Sequence, residues 1–376
     1  MTRIPPESLA EAMGDSYPEL EAVREAAADP VYLVGGAVRD LLLGRGRSAN
    51  LDLVVEGDAS ALAARLGGAE VLEHERFATA TVRLDGIEVD VAAARTEAYP
   101  QPGALPEVSP GAGIEADLAR RDFSANAMAI PIDATAPGGP GLIDPTGGDA
   151  DLSAGLLRVL HPGSFVDDPT RALRAARYAA RLGFALEPGT EELLRATDLE
   201  TVSADRREAE LLRLAGEPSA ARGFELLAGW GLIEPREGGL DLVARVAKLL
   251  SSPPWEGFAP RAPTVLRAAL GPAGGEGGLA VAEPDRPSLG FELAAGRDPS
   301  ELAMARAMGG EWLDRHLLEW CAVGLEIDGE DLIAAGVEQG PAVGRGLAEA
   351  KRRKLDGEIG GRDEELDVAL AAAREE

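Results

Sequence analysis

The sequence has little cysteine, lysine or aromatic content, and it contains no long apolar run. Its single cysteine, Cys321, excludes an internal disulfide and fits a reducing cytosol. No apolar stretch reaches the length of a membrane span, and residues 1–30 lack the basic and apolar regions of a secretory signal. We therefore expect a cytoplasmic protein that contacts no membrane.

Positive charge is also scarce: 37 Lys and Arg residues oppose 65 Asp and Glu residues, for a net charge of −28. This balance argues against a polyanionic partner, because binding to a nucleic acid backbone needs concentrated positive charge. The charge is uneven, however. Residues 171–181 contain four arginines and no acid, and residues 351–354 read Lys-Arg-Arg-Lys. A local basic groove can therefore coexist with an acidic exterior.

Strand-like and helical patterns alternate over residues 31–150, while amphipathic helical patterns dominate from residue 151 onward. We expect strands at VYLVGG, NLDLVVEG, ATATVRLDG, IEVDVAAA and NAMAIPID, and helices near residues 37–43 and 58–67. With 376 residues and 45% apolar content, the chain can form two or three domains with a substantial core. Residues 1–30 suggest a separate helical lead-in.

The segment Val31–Gly57 predicts a strand, a Gly35-Gly36 turn, a helix and a second strand. Side chains alternate along a strand, so Asn50 and Asp52 project from the same face. Two carboxylates placed in this way could hold divalent ions for nucleotidyl transfer. The chain supplies only one acid there, Asp52, together with the neutral amide of Asn50. A third acid, Asp90, lies in the predicted strand IEVDVA.

The Gly35-Gly36 turn can also form a phosphate cradle, because backbone N–H groups open onto a predicted helix. Arg39, one turn further on, can reach phosphate oxygens. An alternative interpretation of these residues is a tight strand-to-helix turn with ordinary surface charges.

The motifs in order resemble the class II tRNA nucleotidyltransferase and bacterial poly(A) polymerase family. The resemblance is strong over residues 31–235, poor over 236–320, and returns weakly at GEDLIAAGVEQGPAVGRGLAEAKRRKLDGE. The strong part consists of VYLVGGAVRDLLLG, NLDLVVEGD, RFATATVRLDG, EVDVAAARTEAYP, DLARRDFSANAMAI, LIDPTGGDADL and RVLHPGSFVDDPTRALRAARYAARLGF.

The resemblance implies an α+β fold in which a polymerase-beta-like head precedes an all-helical neck, body and tail. The corresponding boundaries are residues 31–150 for the head, 151–235 for the neck and 236–376 for the body and tail. The family adds CCA, parts of CCA, or A-tails to RNA 3′ ends. It uses CTP and ATP with Mg²⁺, for which Mn²⁺ is an alternative. The expected partners are therefore the tRNA 3′ end and nucleoside triphosphates, and the sequence does not indicate the oligomeric state.

The resemblance also assigns roles to individual residues. Asp52 and Asp90 are the expected catalytic acids, and Asn50 and Asp52 occupy the metal-binding pair. Asp168 and Arg171 stand where the family recognises the edge of the base, and Asn126 supports a nucleotide-contacting loop. The expected nucleotide-binding residues are Gly35, Gly36, Arg39, Arg121, Asp122, Asp168, Arg171, Arg174 and Arg177.

Several of these residues have structural alternatives. Asp168 precedes Pro169 and could simply cap a helix. Arg171, Arg174 and Arg177 advance by three residues and could form a solvated face. Arg206 and Glu210, at helical i,i+4 spacing, favour an intrahelical brace over a catalytic pair. The KRRK segment could grip RNA or remain a solvated charged face.

Asn50 leaves three outcomes open, because an amide oxygen can ligate Mg²⁺ but contributes no negative charge. The protein could remain active by using Asp52, Asp90 and another acid such as Glu56. It could bind RNA and nucleotide without efficient chemistry, or Asn50 could be an introduced substitution. The first hypothesis is CCA addition to tRNA; the alternatives are a noncatalytic RNA- or nucleotide-binding homologue and an A-adding or poly(A) polymerase. The Pro/Gly-rich loop at Thr96–Ile114, which would discriminate among these activities, is not informative in sequence alone.

Overall fold

The computed structural model forms two compact units. The first comprises Met1–Leu214 and Leu226–Leu232, and the second comprises Ala215–Glu225 and Ile233–Glu376. The finer division at residues 30, 150 and 235 stays a prediction. The structure describes residues 4–5, 8–48, 50–67, 72–74, 79–84, 86–132, 141–272, 279 and 282–374.

A mixed sheet of six strands organises the first unit, in the order β3-β4-β5-β2-β1-β8. β2 and β5 run parallel, and the other neighbouring strands run antiparallel. The strands of this sheet are β1 Val31–Val34, β2 Asn50–Val55, β3 Leu72–His74, β4 Thr79–Leu84, β5 Ile87–Ala93 and β8 Ala129–Pro131. Two small pairs complete the strands: β6 Arg95–Ala98 with β7 Glu107–Pro110, and β9 Leu156–Leu157 with β10 Ala185–Leu186.

The alternation of side chains in β5 gives the sheet one apolar and one polar face. Val89 and Val91 are fully buried in the core, while the residues that alternate with them along the strand, Glu88, Asp90 and Ala92, are half-buried. β2 begins with the same alternation, since Leu51 and Leu53 are buried and the side chains of Asn50 and Asp52 are exposed. The polar residues of both strands therefore lie on one face.

Helices cover the apolar face and extend the first unit. They are α1 Leu9–Ser16, α2 Leu20–Ala26, α3 Gly36–Leu42, α4 Ala59–Leu66, α5 Ile114–Ala119, α6 Gly148–Ala154, α7 Ser164–Asp167, α8 Thr170–Leu182, α9 Pro188–Arg195 and α10 Ala204–Gly216. Asp58 caps α4 by accepting the N–H of Ala61, and α4 ends at Gly67, whose φ is +64°. Short 3₁₀ helices occupy Ser124–Asn126 and Leu199–Thr201.

The predicted mixed fold is confirmed, and α3 and α4 lie close to the expected helical segments. The segment Thr96–Ile114 is more ordered than its Pro/Gly-rich composition suggests, because β6 and β7 pair within it. Its last residue, Ile114, is held through its N–H by a carboxylate oxygen of Glu56 at 2.6 Å.

The described part of the second unit is helical. Its helices are α12 Gly239–Leu249, α13 Arg261–Leu270, α14 Pro287–Ala294, α15 Pro299–Ala307, α16 Trp312–Leu318, α17 Gly329–Ala334, α18 Pro341–Leu355 and α19 Arg362–Arg374, with a 3₁₀ turn at Trp320–Ala322. A further helix, α11 Ala220–Gly229, is divided between the two units at Leu226. Among the described residues, no helix combines the length and apolar character that crossing a bilayer requires.

The KRRK segment lies at the end of α18 and is largely paired within the second unit. Lys354 contacts the buried carboxylate of Glu365 on α19 at 2.5 Å, and Glu349 accepts hydrogen bonds from both Arg352 and Arg353. The ammonium of Lys351 lies 4.3 Å from the ring centroid of Phe291. Most of this positive charge is therefore compensated locally.

Candidate active site

A cavity of about 910 Å³ opens on the polar face of the sheet in the first unit. Eight arginines and seven acidic residues line it, so its surface is strongly polar. The structure brings together every site residue that the sequence predicted: Gly35, Gly36, Arg39, Asn50, Asp52, Asp90, Arg121, Asp122, Asp168, Arg171, Arg174 and Arg177. Their individual roles stay predictions, but their common location is a finding.

Asp52 and Asp90 form the carboxylate end of this cavity. They are paired in register on the parallel strands β2 and β5, so their backbones lie about 4.8 Å apart. The hydroxyl of Thr81, opposite Asp90 on β4, donates to that carboxylate at 2.5 Å. Desolvation by the surrounding protein raises the pKa of Asp52, although the guanidinium of Arg121 opposes this shift.

The donor set at this end suits a hard divalent cation. Asp52 and Asp90 offer carboxylate oxygens and Asn50 offers an amide oxygen, which are the ligand types that Mg²⁺ prefers. Within the described ranges of the chain, no three His, Cys, Asp or Glu side chains form a cluster with metal-binding geometry.

Gly35 brings the phosphate-cradle turn into contact with these residues. Its φ is +70°, a conformation that side-chain-bearing residues rarely adopt. A Cβ added there would lie 3.3 Å from Oδ2 of Asp52 and 3.3 Å from Nη1 of Arg121. The turn therefore needs glycine both for its backbone and for the close approach of its neighbours.

Arg39 is buried and held by its neighbours on two sides. Its Nε and Nη2 donate to Asp40 at 2.9 and 3.0 Å, and its Nη1 donates to Oδ1 of Asn126 at 2.7 Å. These contacts use three of the five N–H groups of the guanidinium. They fix its orientation at the cavity wall and leave donors that could reach a phosphate.

Asn126 also connects Arg39 to a buried ion pair. Its Nδ2 donates to Oδ1 of Asp122 at 3.2 Å, and Oδ2 of Asp122 lies 2.6 Å from Nη2 of Arg174. Burial alone would raise the pKa of Asp122, but Arg174, together with the hydrogen bonds from Asn126 and from the N–H of Phe123, outweighs it and holds that pKa below its usual range. Asp122 is therefore an ionised residue that positions Arg174 and Asn126.

Asp168 and Arg171 are anchored differently. Oδ1 of Asp168 accepts from the N–H of Thr170 at 3.1 Å and from Nη2 of Arg206 at 2.9 Å. Arg171 is almost fully buried and donates to the hydroxyl of Ser164 and to the carbonyl of Arg120 at 2.7 and 2.9 Å. Oδ1 of Asp168 is thus occupied by hydrogen bonds within the protein. Arg171 connects α8 to Ser164 on α7 and to the backbone of Arg120.

Two structural alternatives are wrong. The arginines of α8 do not form a solvated face, since Arg174 pairs with Asp122 and Arg177 lies 3.4 Å from Glu210. The expected brace between Arg206 and Glu210 is also absent among the described contacts, because Arg206 is turned toward Asp168. The guanidinium of Arg177 lies 4.7 Å from the ring centroid of Tyr178, which confines it further.

Sequence reasoning missed a buried carboxylate behind the cavity wall. Asp117 has no exposed surface, and its two oxygens lie 2.7 Å from Nη2 of Arg120 and 2.9 Å from Nη2 of Arg121. Burial raises its pKa, but the two arginines lower it more, and the net pKa lies below the ordinary value. The i,i+3 and i,i+4 spacing within DLARR was the available signal.

Glu56 does not lie at the carboxylate end of the cavity. Its Oε1 accepts the N–H of Ile114, and it is not among the residues that line the cavity. Glu56, which the sequence offered as one example of a compensating acid, therefore does not lie where the missing carboxylate would stand. Glu88, which no sequence argument singled out, does line the cavity.

The site combines paired aspartates on a mixed sheet with a glycine turn beside them and an arginine-rich wall. This combination defines a nucleotidyltransferase-like protein. Comparison with known proteins agrees: residues 31–158 match the poly A polymerase head domain. The chain is 37% identical over 359 residues to a CC-adding tRNA nucleotidyltransferase of Deinococcus radiodurans, covering 90% of this chain and 88% of that relative. The chain belongs to the class II tRNA nucleotidyltransferase and bacterial poly(A) polymerase family.

Other similarities are more partial or more distant. An A-adding tRNA nucleotidyltransferase of Halalkalibacterium halodurans is 44% identical over 207 residues, which is 52% of this chain but only 48% of that relative. The solved Thermotoga maritima CCA-adding enzyme complexed with tRNA has 26% identity and a TM-score of 0.73, with 99% of both chains covered. Similar solved CCA-adding enzymes contain CTP or ATP.

Proposed function

We propose that this protein adds CMP and AMP to tRNA 3′ ends without a nucleic acid template, using CTP and ATP. The observation that carries this proposal is the in-register pair Asp52 and Asp90 at one end of a cavity whose walls carry arginines and Asp168. One end suits phosphate chemistry, and the other offers donors and acceptors for a base edge. Related proteins with these activities support the assignment.

In this reaction the terminal ribose hydroxyl attacks the α-phosphate of the nucleotide, and pyrophosphate leaves. Asp52, Asp90 and the amide of Asn50 would hold Mg²⁺, which would reduce the charge of the triphosphate and activate the hydroxyl. Arg39 and Arg121, fixed by Asp40, Asn126 and Asp117, would hold the phosphates near the Gly35 turn.

The base would be recognised at the other end of the cavity. A carboxylate accepts and a guanidinium donates, so Asp168 and Arg174 together can pair with an edge of cytosine or adenine. Arg206 holds one oxygen of Asp168, and Asp122 holds Arg174, so both groups have restricted orientations. Such restriction favours a fixed hydrogen-bonding pattern over nonspecific attraction.

The decisive experiment is extension of tRNA that lacks CCA, with Mg²⁺ or Mn²⁺ and labelled CTP or ATP. We expect addition of CMP followed by AMP, and no extension of tRNA that already ends in CCA. If neither the wild-type protein nor Asn50→Asp extends the tRNA at high enzyme concentration, the proposal fails. Extension only after Asn50→Asp would indicate an RNA- and nucleotide-binding protein with little chemistry of its own.

Partial addition is the second candidate, because the relatives include both CC-adding and A-adding proteins. Three tRNA substrates, ending before CCA, after the first C and after CC, separate these activities. A CC-adding protein extends the first two with CTP and stops, whereas an A-adding protein extends only the third with ATP. Long A-tails on unrelated RNAs would identify a poly(A) polymerase.

A further inference from the structure

The side chain of Tyr178 is the point at which three arginines of the cavity meet. Tyr178 lies on α8, lines the cavity and packs against the core of the first unit. The Cζ atoms of Arg177 and Arg39 lie 4.7 and 5.8 Å from the centroid of its ring. Nη2 of Arg174 lies 3.5 Å from its phenol oxygen. One aromatic side chain therefore contacts a guanidinium of α3 and two guanidinium groups of α8.

Each of these guanidinium groups also has an acidic partner of its own. The pairs are Arg39 with Asp40, Arg174 with Asp122, and Arg177 with Glu210. The acids thus hold the three cations separately, whereas Tyr178 contacts all three. Cations gathered around one point repel each other unless a group with negative character lies among them. The π face of an aromatic ring is such a group.

A ring suits a phosphate-binding wall better than another carboxylate would. A carboxylate would accept guanidinium N–H groups and cancel the positive charge that attracts a triphosphate. An aromatic ring attracts a guanidinium through its quadrupole and leaves the charge in place. Arg39 uses three of its five N–H groups on Asp40 and Asn126. The other two then remain available to a ligand.

The core holds the ring of Tyr178 in place. Phe123 is fully buried, and its ring meets that of Tyr178 edge to face, with a centroid distance of 5.9 Å and an interplanar angle of 86°. Phe123 directly follows Asp122, whose carboxylate accepts the N–H of Phe123 at 2.8 Å. The position of the ring is therefore linked to the acid that holds Arg174.

We propose that Tyr178 is a positioning residue of the nucleotide site, and that its ring holds Arg39 and Arg177 in the separation and orientation that a triphosphate requires. Tyr178 acts through these arginines and not on the reacting atoms. This inference rests on the proposed nucleotidyltransferase function, but it concerns binding of the polyphosphate and needs neither tRNA nor turnover.

The test measures binding of inorganic tripolyphosphate to the full-length protein by isothermal titration calorimetry. Tyr178→Leu retains apolar bulk but removes the ring, and we expect it to weaken the affinity about tenfold, because partly desolvated cation–π contacts contribute on that order. Tyr178→Phe retains the ring and should bind tripolyphosphate like the wild type. Phe184→Leu is the matched control, because Phe184 packs against the same core and does not line the cavity.

A double variant shows whether Tyr178 acts through Arg39. In an Arg39→Gln background, Tyr178→Leu should cost clearly less than tenfold in affinity, since one of the guanidinium groups that the ring positions is gone. An equal loss in both backgrounds would contradict this route.

A purely structural role of Tyr178 gives a different pattern. Tyr178→Leu and Phe184→Leu would then both lower the melting temperature, and neither would change the affinity for tripolyphosphate. That pattern, a loss of affinity in Tyr178→Phe, or no saturable binding by the wild type would each overturn the inference.

The extension assay judges the proposed function separately. If the wild type extends tRNA and Tyr178→Leu binds tripolyphosphate like the wild type, this inference alone fails. If Tyr178→Leu weakens tripolyphosphate binding but neither the wild type nor Asn50→Asp extends tRNA, the proposed function alone fails.

Discussion

Nη2 of Arg206 lies 2.9 Å from Oδ1 of Asp168, and Nη1 of the same guanidinium donates to the carbonyl oxygen of Gly103 at 2.7 Å. Gly103 belongs to the segment between β6 and β7, and Asp168 lies in the cavity. Arg206 therefore orients the carboxylate that we propose to recognise the base. It also connects this carboxylate to the Pro/Gly-rich segment Thr96–Ile114, whose role the sequence alone did not indicate.

Replacing Arg206 by Gln should impair nucleotide selection. Hydrogen bonds to charged groups contribute about 1.5–3 kcal/mol, so we expect kcat/KM for CTP and ATP to fall by about tenfold or more. The ratio between correct and incorrect nucleotides should fall as well. Arg207→Gln is the control, because Arg207 pairs with Glu200 instead. Equal loss in both variants would contradict a specific role for Arg206.

The Arg206–Asp168 contact shows where sequence reasoning stopped. Helical spacing correctly indicated that Arg206 and Glu210 lie on one side of α10, but it could not show which helix or loop that side meets. The partner of Arg206 is 38 residues away and depends on tertiary packing. Local periodicity is a property of the element, whereas ion-pair choice depends on the distances between elements.

Gly35→Ala should reduce activity more than stability. The added Cβ would lie 3.3 Å from both Asp52 and Arg121, and it would occupy a backbone conformation at φ +70°. We expect a stability loss of about 1–2 kcal/mol from the backbone strain and a loss of kcat on the order of a hundredfold from displaced active-site groups. Urea unfolding and single-turnover extension measure the two effects.

Gly67→Ala separates strain from displacement. Gly67 has a similar φ of +64°, but a Cβ there would meet no atom within 4 Å. It should show a comparable loss of stability with nearly unchanged kcat. If both variants lose activity equally, the approach of Gly35 to Asp52 has no special role in the reaction.

Asp122→Asn should destabilise the first unit, because it leaves the guanidinium of Arg174 without its buried counterion. Breaking such a pair costs about 3–5 kcal/mol. Since Asp122 has a lowered pKa in the folded protein, its ionised form stabilises the fold above the unfolded pKa of about 3.9. That contribution should be constant near neutral pH and disappear as the pH falls through the lower folded pKa.

The measurement is the difference in free energy of unfolding between the wild type and Asp122→Asn, followed from pH 7 to pH 3 by urea denaturation. Asp205→Asn, at an exposed position of α10, should show no such difference at any pH. A wild-type advantage that grows toward acid pH would contradict the assignment of an ionised Asp122.

The carboxylate end of the cavity shows how far strand patterning reaches. Alternation placed Asn50 and Asp52 on one face and identified Asp90 on a neighbouring strand, and the structure agrees with both. The search for a compensating acid selected Glu56, which follows β2 directly, but its carboxylate binds the N–H of Ile114. The exact pairing of Asp52 with Asp90 required the register between β2 and β5, and no short turn links these parallel strands to reveal it.

Lys354→Met should destabilise the second unit and leave nucleotide addition intact at saturating tRNA. Glu365 has no exposed side-chain surface, and Lys354 lies 2.5 Å from it, so the variant would leave a buried carboxylate without its cation. We expect a loss of about 3 kcal/mol in the free energy of unfolding, whereas Lys248→Met, at an exposed position of α12, should change it by about 0.5 kcal/mol or less. Unchanged stability together with a several-fold higher KM for tRNA would instead show that Lys354 contacts the RNA. Its ion pair with Glu365 would then break when RNA binds.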